Sequence, residues 1–181
     1  MISTDRLILR DWAESDSAPF AALNADADVM RYFPAPLARE ASDAAAKRYQ
    51  AHIKLHGFGL WAVELRKTGQ FIGFIGLQYS PDYLPFASAC EIGWRLDKSV
   101  WGQGLAPEGA RSALAYAFAT LKAEKVISIT ASINKPSMRV MEKIGMQRVH
   151  GGDFDHPKVD VGHSGRQHVL YQLRPHQIIV S

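Results

Sequence analysis

The segment Glu91-Ile-Gly-Trp-Arg-Leu-Asp-Lys-Ser-Val-Trp-Gly-Gln-Gly-Leu-Ala-Pro-Glu-Gly-Ala110 carries residue types and spacings suited to holding an anion. A strand pattern ends near Leu96, a turn holds Gly102 and Gly104, and a helical pattern opens near Ala106. Glycines let a backbone approach a ligand and adopt positive φ. The first N–H groups of a helix lack intrahelical partners and sit at the positive end of its dipole. Pro107 falls in the first turn, where its missing N–H has no consequence. The backbone logic therefore points to a phosphate or pyrophosphate. Two familiar phosphate motifs do not fit. A dinucleotide fingerprint needs glycine at position 107, which is proline, and a P-loop needs Lys-Ser/Thr at 110 and 111, which are Ala and Arg. On the glycines alone, a plain strand-to-helix turn stands beside the anion site as a reading.

Other reactive residue types are sparse. Cys90 adjoins Glu91 in a strand pattern, so the two side chains point to opposite faces and Cys90 is expected in the core. Histidines fall at 150, 156, 163 and 168, but without paired carboxylates or cysteines at ligand spacing no metal site is expected. Trp12, Tyr32, Phe33, Trp61, Tyr79 and Tyr83 suit either an amine pocket or packing.

The elements that must position these groups follow from periodicity. Arg6–Arg10 reads as a short strand. Ser15 or Asp16 is expected to cap a helix carrying Phe20, Leu23 and Val29. Residues 37–56 are alanine-rich and mixed-charge, which favours helix, and Gly57 and Gly59 end it. Leu60–Leu65, Phe71–Tyr79 and Ala89–Leu96 read as strands of an antiparallel meander. Residues 106–122 form a helix with Ala110, Ala113, Leu114, Ala117, Phe118 and Leu121 on one stripe. Val126–Ile133 is a β-branched strand, Asn134 opens a helix that stops at Gly145, and Gln167–Leu173 is a last strand. The order implies a mixed α+β or α/β fold with a partly antiparallel sheet, and 1–181 is read as one domain. With 181 residues, 47% apolar and 22% charged, the composition is that of a globular protein and excludes disorder or a fibrous fold. The net charge of +3 is weak evidence for an anionic ligand and gives no clustered Lys/Arg groove for nucleic acid. No apolar run of roughly 18 residues exists to span a membrane. One cysteine fits a reducing cytoplasm.

The glycine segment resembles the acyl-CoA loop of the GCN5-related N-acetyltransferases (GNAT), Arg/Gln-x-x-Gly-x-Gly/Ala, here Trp101-Gly102-Gln103-Gly104-Leu105-Ala106. Trp in the first place is similar to the branch of ribosomal-protein alanine acetyltransferases (RimJ/RimL-like). Thr4-Asp5-Arg6-Leu7-Ile8-Leu9-Arg10 resembles that branch's opening strand. Asn134-Lys-Pro-Ser137, with Glu142-Lys143-Ile-Gly145, resembles its Asn-x-x-Ser-x-x-x-x-Glu-Lys-x-Gly segment, and Phe154-Asp155-His156-Pro157 with His168-Val-Leu-Tyr171 resembles its endings. The resemblance implies a mostly antiparallel central sheet flanked by helices, with acyl-CoA in a splay between a fourth strand, Ala89–Leu96, and a fifth, Val126–Ile133. It implies that the backbone of Trp94, Arg95 and Leu96 binds the pantetheine arm, that the amides of Gly102 to Ala106 hold the pyrophosphate, and that Asn134 contacts the CoA arm. Asn134 also suits a helix N-cap, and cap and ligand contact can use different atoms.

The implied activity is acetyl transfer from acetyl-CoA to a primary amine: a protein N-terminus, an amino acid, a polyamine or an antibiotic. That chemistry needs a neutral amine, a stabilised oxyanion and a protonated leaving thiolate, but no metal. Many family members place a Tyr before the Glu of the last helix; here that residue is Met141, and the resemblance gives the acid role to the branch's Ser, Ser137, which also reads as a first-turn helix residue with a structural hydroxyl. Glu91 ranks narrowly ahead of Asp155 and His156 as base, since it shares a strand face with Gly93 and Arg95 toward a polar cleft. A water chain in place of any base is the remaining choice. The rival classes are a non-catalytic acyl-CoA-binding or interaction module of the same fold and, more distantly, a nucleotide-binding domain. A homodimer is the base-rate expectation, and the resemblance implies that the Met30–Pro36 segment borders the acceptor site.

Overall fold

The computed structural model describes residues 1–175; residues 176–181 of the expected 1–181 domain lie outside the described residues. The chain order is β1 (Ile2–Ser3), β2 (Leu7–Arg10), α1 (Ser17–Ala25), α2 (Ala27–Met30), α3 (Arg39–His56), β3 (Leu60–Leu65), β4 (Phe71–Tyr79), β5 (Cys90–Leu96), α4 (Leu105–Ala119), β6 (Val126–Ala131), α5 (Lys135–Lys143), β7 (Gln147–Arg148), β8 (Phe154–Asp155) and β9 (Gln167–Leu173). One sheet runs β1-β2-β3-β4-β5-β6-β9-β7, with β8 also on β9. Every neighbouring pair is antiparallel except β5 and β6, which are parallel. The mixed, mostly antiparallel sheet flanked by helices agrees with the expected class.

Alternation along the strands feeds two cores, one per face. Trp61 and Val63 of β3, Ile75 and Leu77 of β4, and Ile92 and Leu96 of β5 pack with Ala110, Ala113, Leu114 and Ala117 of α4 and with Met138 and Met141 of α5. Leu60, Ala62 and Phe74 point the other way, to Phe20 and Leu23 of α1 and to Ala45 and Ala46 of α3. A register shift in the β3–β4 ladder adds a residue near Gly73, so Ile72 and Ile75 can share a face. Gly73 has φ +129, and a Cβ there would stand 2.1 Å from the Arg95 carbonyl oxygen, so the crossing at β5 admits only glycine.

Two expectations change. The helix expected to carry Phe20, Leu23 and Val29 is broken at Asp26, whose side chain accepts from the Asp28 and Val29 N–H groups and caps the separate α2. Asp16 stands at the N-cap of α1 but makes no side-chain cap bond to that helix. Its carboxylate, 1% exposed, accepts from both Nη atoms of Arg10 at 2.7 and 2.9 Å and from the Ala13 N–H. A guanidinium offers a charge-assisted pair of bonds that a cap cannot match. Of the two glycines expected to end α3, Gly57 takes the left-handed C-cap at φ +77. Gly59 instead presses against Ile53.

Candidate active site

β5 and β6 pair only at Cys90↔Val126 and Glu91↔Ile127. Past these the strands part, the Ser128 hydroxyl donating to the Ile92 carbonyl at 3.0 Å where the gap opens. β5 stays paired to β4 along its whole length. Its peptide groups on the β6 side, from Gly93 to Leu96, therefore face a cleft of about 780 Å³ that runs between the strands.

At one end the cleft meets the first turn of α4. Gly104 is the helix N-cap at φ +76, with no side-chain cap, so the Leu105 and Ala106 N–H groups are free to meet an anion. Gly102, at φ +75, has open space where a Cβ would stand. A clamp fixes this turn from the other end of the chain. Arg6 pairs with Glu108 at 2.6 Å and donates through Nη1 to the Gln103 carbonyl at 2.9 Å. Thr4 donates to the same carboxylate at 2.6 Å. Burial would raise the Glu108 pKa, but the bonds from Thr4 and Arg6 outweigh it and hold it below the usual range. Gly102, Gly104, Leu105 and Ala106 line the cleft, as do Trp94, Arg95, Leu96 and Trp101. Gln103 does not: its side chain turns back to donate to the Ser99 carbonyl at 3.2 Å. The free helix amides and side-chain-free glycines fit a pyrophosphate, and the unpaired β5 edge fits an arm of amides.

Asn134 and Ser137 line the opposite wall, at the start of α5. Asn134 is the N-cap: Oδ1 accepts from the Ser137 N–H at 3.2 Å and Nδ2 donates to Thr130 Oγ1 at 2.9 Å. Both of its polar atoms are engaged in structure. The half-buried Ser137 hydroxyl has no hydrogen bond among the described residues. Met141, 1% exposed, belongs to the core and brings no hydroxyl.

Glu91 stands at the other end of the parted strands, 8% exposed. Ser80 Oγ donates to its Oε2 at 3.1 Å. Burial pushes its carboxyl up to about 7, against the smaller opposing effect of hydrogen bonds from Ser80 and Gln78. Cys90, on the opposite strand face, lies outside the cleft lining and packs on the core. Burial, with the Glu91 charge, pushes its thiol up to about 11.

His156 and His168 also line the cleft, their ring centroids 4.7 Å apart. Burial holds both pKa values below the ordinary range, assisted at His156 by His168 and Lys158. His156 Nδ1 accepts from the Lys158 N–H at 3.2 Å, so the neutral ring carries its proton on Nε2, the wrong tautomer for taking a proton there. Asp155 does not join the site: its carboxylate pairs with Arg166 at 3.0 Å and it is absent from the cleft lining. A β8 position alternates away from its neighbour, so Asp155 and His156 part company.

Among the expected aromatics, Tyr32 and Phe33 line the cleft, and Tyr83 stands 6.0 Å from the His156 ring. Trp12 and Trp61 are core residues, and Tyr79 packs on His52, His56 and Phe58. Tyr49 and Phe74 line the cleft without having been expected there. The signal for Tyr49 is the α3 spacing Ser42, Ala45, Ala46, Tyr49, Ile53, an i, i+3, i+4 stripe.

Residues 6–147 match the family model described as an acetyltransferase (GNAT) domain. The chain is 35% identical to YkkB of Bacillus subtilis strain 168 over 144 residues, 79% of this chain and 83% of the relative. It is 30% identical over 148 residues to YnaD of the same strain, an uncharacterized N-acetyltransferase, covering 81% and 82% of the two chains. Among solved structures, a GNAT-family acetyltransferase from Bacillus anthracis superposes with TM-score 0.77 at 26% identity, over 96% of this chain and 97% of the other.

Proposed function

We propose, from the premise that this chain belongs to the GNAT acetyltransferase family and is an acetyl-CoA-dependent N-acetyltransferase, that it passes acetyl directly to a primary amine held on the Glu91 face of β5. The observation that carries the reading is the parting of β5 from β6 onto the uncapped N-terminus of α4. In this reading residues 1–181 act as one acetyltransferase domain of the ribosomal-protein alanine acetyltransferase branch. The branch assignment rests on the Thr4–Arg10 and Asn134–Gly145 segments. The single cysteine, which leaves no intrachain disulfide to form, supports a cytoplasmic setting.

Acetyl-CoA supplies a thioester carbonyl. The amides of Gly102 to Ala106 hold its pyrophosphate, and the backbone of Trp94 to Leu96 aligns its amide arm as a further strand would be aligned. A β5 N–H stabilises the oxyanion as the amine nitrogen bonds to the carbonyl carbon. Glu91, poised near 7, takes the amine proton directly or through one water. The unengaged Ser137 hydroxyl hydrogen-bonds or protonates the thiolate as the C–S bond breaks. Asn134 holds Ser137 in place as its cap.

Two measurements test this. CoA should raise the melting temperature by mass action, about 2.7 kcal/mol at a hundredfold excess over Kd. Gly104→Glu should abolish that rise while leaving the circular dichroism spectrum intact. A panel of amines with acetyl-CoA should release free thiol. No thermal shift with CoA and no thiol release from any amine would overturn the reading.

A further inference from the structure

We propose that the Arg95 guanidinium binds a carboxylate on the acceptor, so that the amine acetylated here belongs to an amino-acid-like anion rather than to a polycation. The inference rests on the N-acetyltransferase reading and names the substrate class of that same site.

Arg95 lies on the β5 face that also carries Glu91, and it lines the cleft. Each element packed on it offers something other than a carboxylate. From β4, Phe74 is its cross-strand partner, with the guanidinium carbon 5.5 Å from the ring centroid. Phe33 lies on another side at 4.3 Å. From α1, the buried Asn24 accepts from Nη1 through Oδ1 at 2.6 Å. From α3, Tyr49 is the ionisable neighbour. Arg95 makes no ion pair among the described residues. Its Nε is buried with no hydrogen-bond partner. Nη2 has none either among the described residues.

A buried cation without a counter-charge is costly, and contact with ring faces offsets only part of that cost. Burial pulls the Arg95 pKa down, yet a guanidinium stays protonated in a protein. The unused donors are informative by position. Nε–H and Nη2–H share one edge of the planar fork, the edge that meets a carboxylate in a two-point contact. Nε is the covered end of that edge, and Nη2, unpartnered and still accessible, is the end a carboxylate meets first.

The protein's own carboxylates in the cleft do not answer this demand. Asp28 pairs with Lys98 at 2.9 Å. Glu91 is bonded to Ser80 and sits four residues along the strand, roughly 13 Å by strand rise. That span, bridged partly by the two long side chains, accommodates a carboxylate on Arg95, a short carbon link, and an amine within a water of Glu91.

The experiment compares matched acceptors in the wild type, Arg95→Gln and Arg95→Lys. Free thiol is followed with amino acids, with their primary amides, with spermidine, and with dipeptide amides whose first residue is acidic or neutral. The wild type should favour carboxylates by about 10- to 100-fold in kcat/KM, the scale of a hydrogen-bonded charge pair. Arg95→Gln should erase that preference, its loss in kcat/KM falling more heavily on the carboxylates than on their amides. Arg95→Lys should retain part of it. If the preference resides in the acidic dipeptides rather than the free amino acids, the carboxylate comes from a side chain, and the proposal holds for that source. Thermal shift in the presence of CoA gives a readout independent of turnover: amino acids should stabilise the wild type but not Arg95→Gln. Thiol release without any carboxylate preference, or an equal loss on all acceptors in Arg95→Gln, overturns this inference and leaves the acetyltransferase reading standing. Absence of release from every amine strikes that reading instead, and the thermal shifts then decide the role of Arg95.

Discussion

Replacing Glu91 by Gln keeps the shape and removes a titration that the fold resists. The carboxyl moves from an ordinary value of 4.5 to about 7 because burial disfavours the charged form. One pKa unit corresponds to about 1.4 kcal/mol, so the full linkage is about 3 kcal/mol. The folded pKa is raised, so the favourable contribution is complete below about 4.5 and is lost as pH climbs through 7. Wild type should lose about 2–3 kcal/mol between pH 5 and pH 8 from this group, whereas Glu91→Gln should not. Other titrations are common to both proteins and cancel in the difference. Urea unfolding at pH 5, 6, 7 and 8 measures it as a gap that widens with pH in favour of the variant. For a chain of this size the same gap is roughly 4–12 °C in Tm. Parallel curves across that range would mean that Glu91 titrates as a solvated carboxylate, and the argument for a base poised near neutrality would fall with it. The kinetic counterpart is a loss of kcat/KM in Glu91→Gln that is greatest near pH 7 and recovers at high pH, where the free amine is abundant.

Ser137→Ala should lower kcat with little change in acetyl-CoA affinity; an equal loss in affinity, seen by titration, would assign Ser137 to binding. Asn134→Ala removes the cap of α5 and the bond to Thr130, and should destabilise by about 0.5–2 kcal/mol in denaturant unfolding. Cys90, with its thiol pushed up to about 11, should react with iodoacetamide at pH 8 far more slowly than glutathione; labelling at the rate of a free thiol would contradict its burial.

The meander was readable because β3 and β4 occupy the same limits as their apolar runs, Leu60–Leu65 and Phe71–Tyr79, and tight links force antiparallel neighbours. Helix α4 was readable from its alanine stripe. The two-residue strands β1, β7 and β8 were not, because nothing local distinguishes them: each exists through pairing with a distant strand. Of the site, the glycine turn and Glu91 were legible, since positive φ and a carboxylate in an apolar strand leave marks in sequence. The engagement of Asp155 by Arg166, the tautomer of His156 and the isolation of Arg95 depend on partners brought in from elsewhere, and no spacing announces them. The Thr4–Arg10 segment was legible as a resemblance but not as a clamp. Its role appears only when Glu108 is folded beside it.

The two residue pairs that join β5 to β6 make the sheet a pair of plates sharing one short seam. On one plate lie β1 through β5, on the other β6, β9, β7 and β8. An exposed strand edge ordinarily invites another chain to add itself, with aggregation as the outcome. Here the edge of β5 borders the cleft, with the N-termini of α4 and α5 among its walls, which suits a slender chain of amides. A ligand bound there as proposed would mend the sheet, acting as mortar between the plates as well as reactant. The amide protons between Gly93 and Leu96 that point away from β4 should then exchange faster than those of the β4–β5 ladder in the free protein and gain protection on CoA binding, and the stiffness of the whole sheet should follow the occupancy of a single slot.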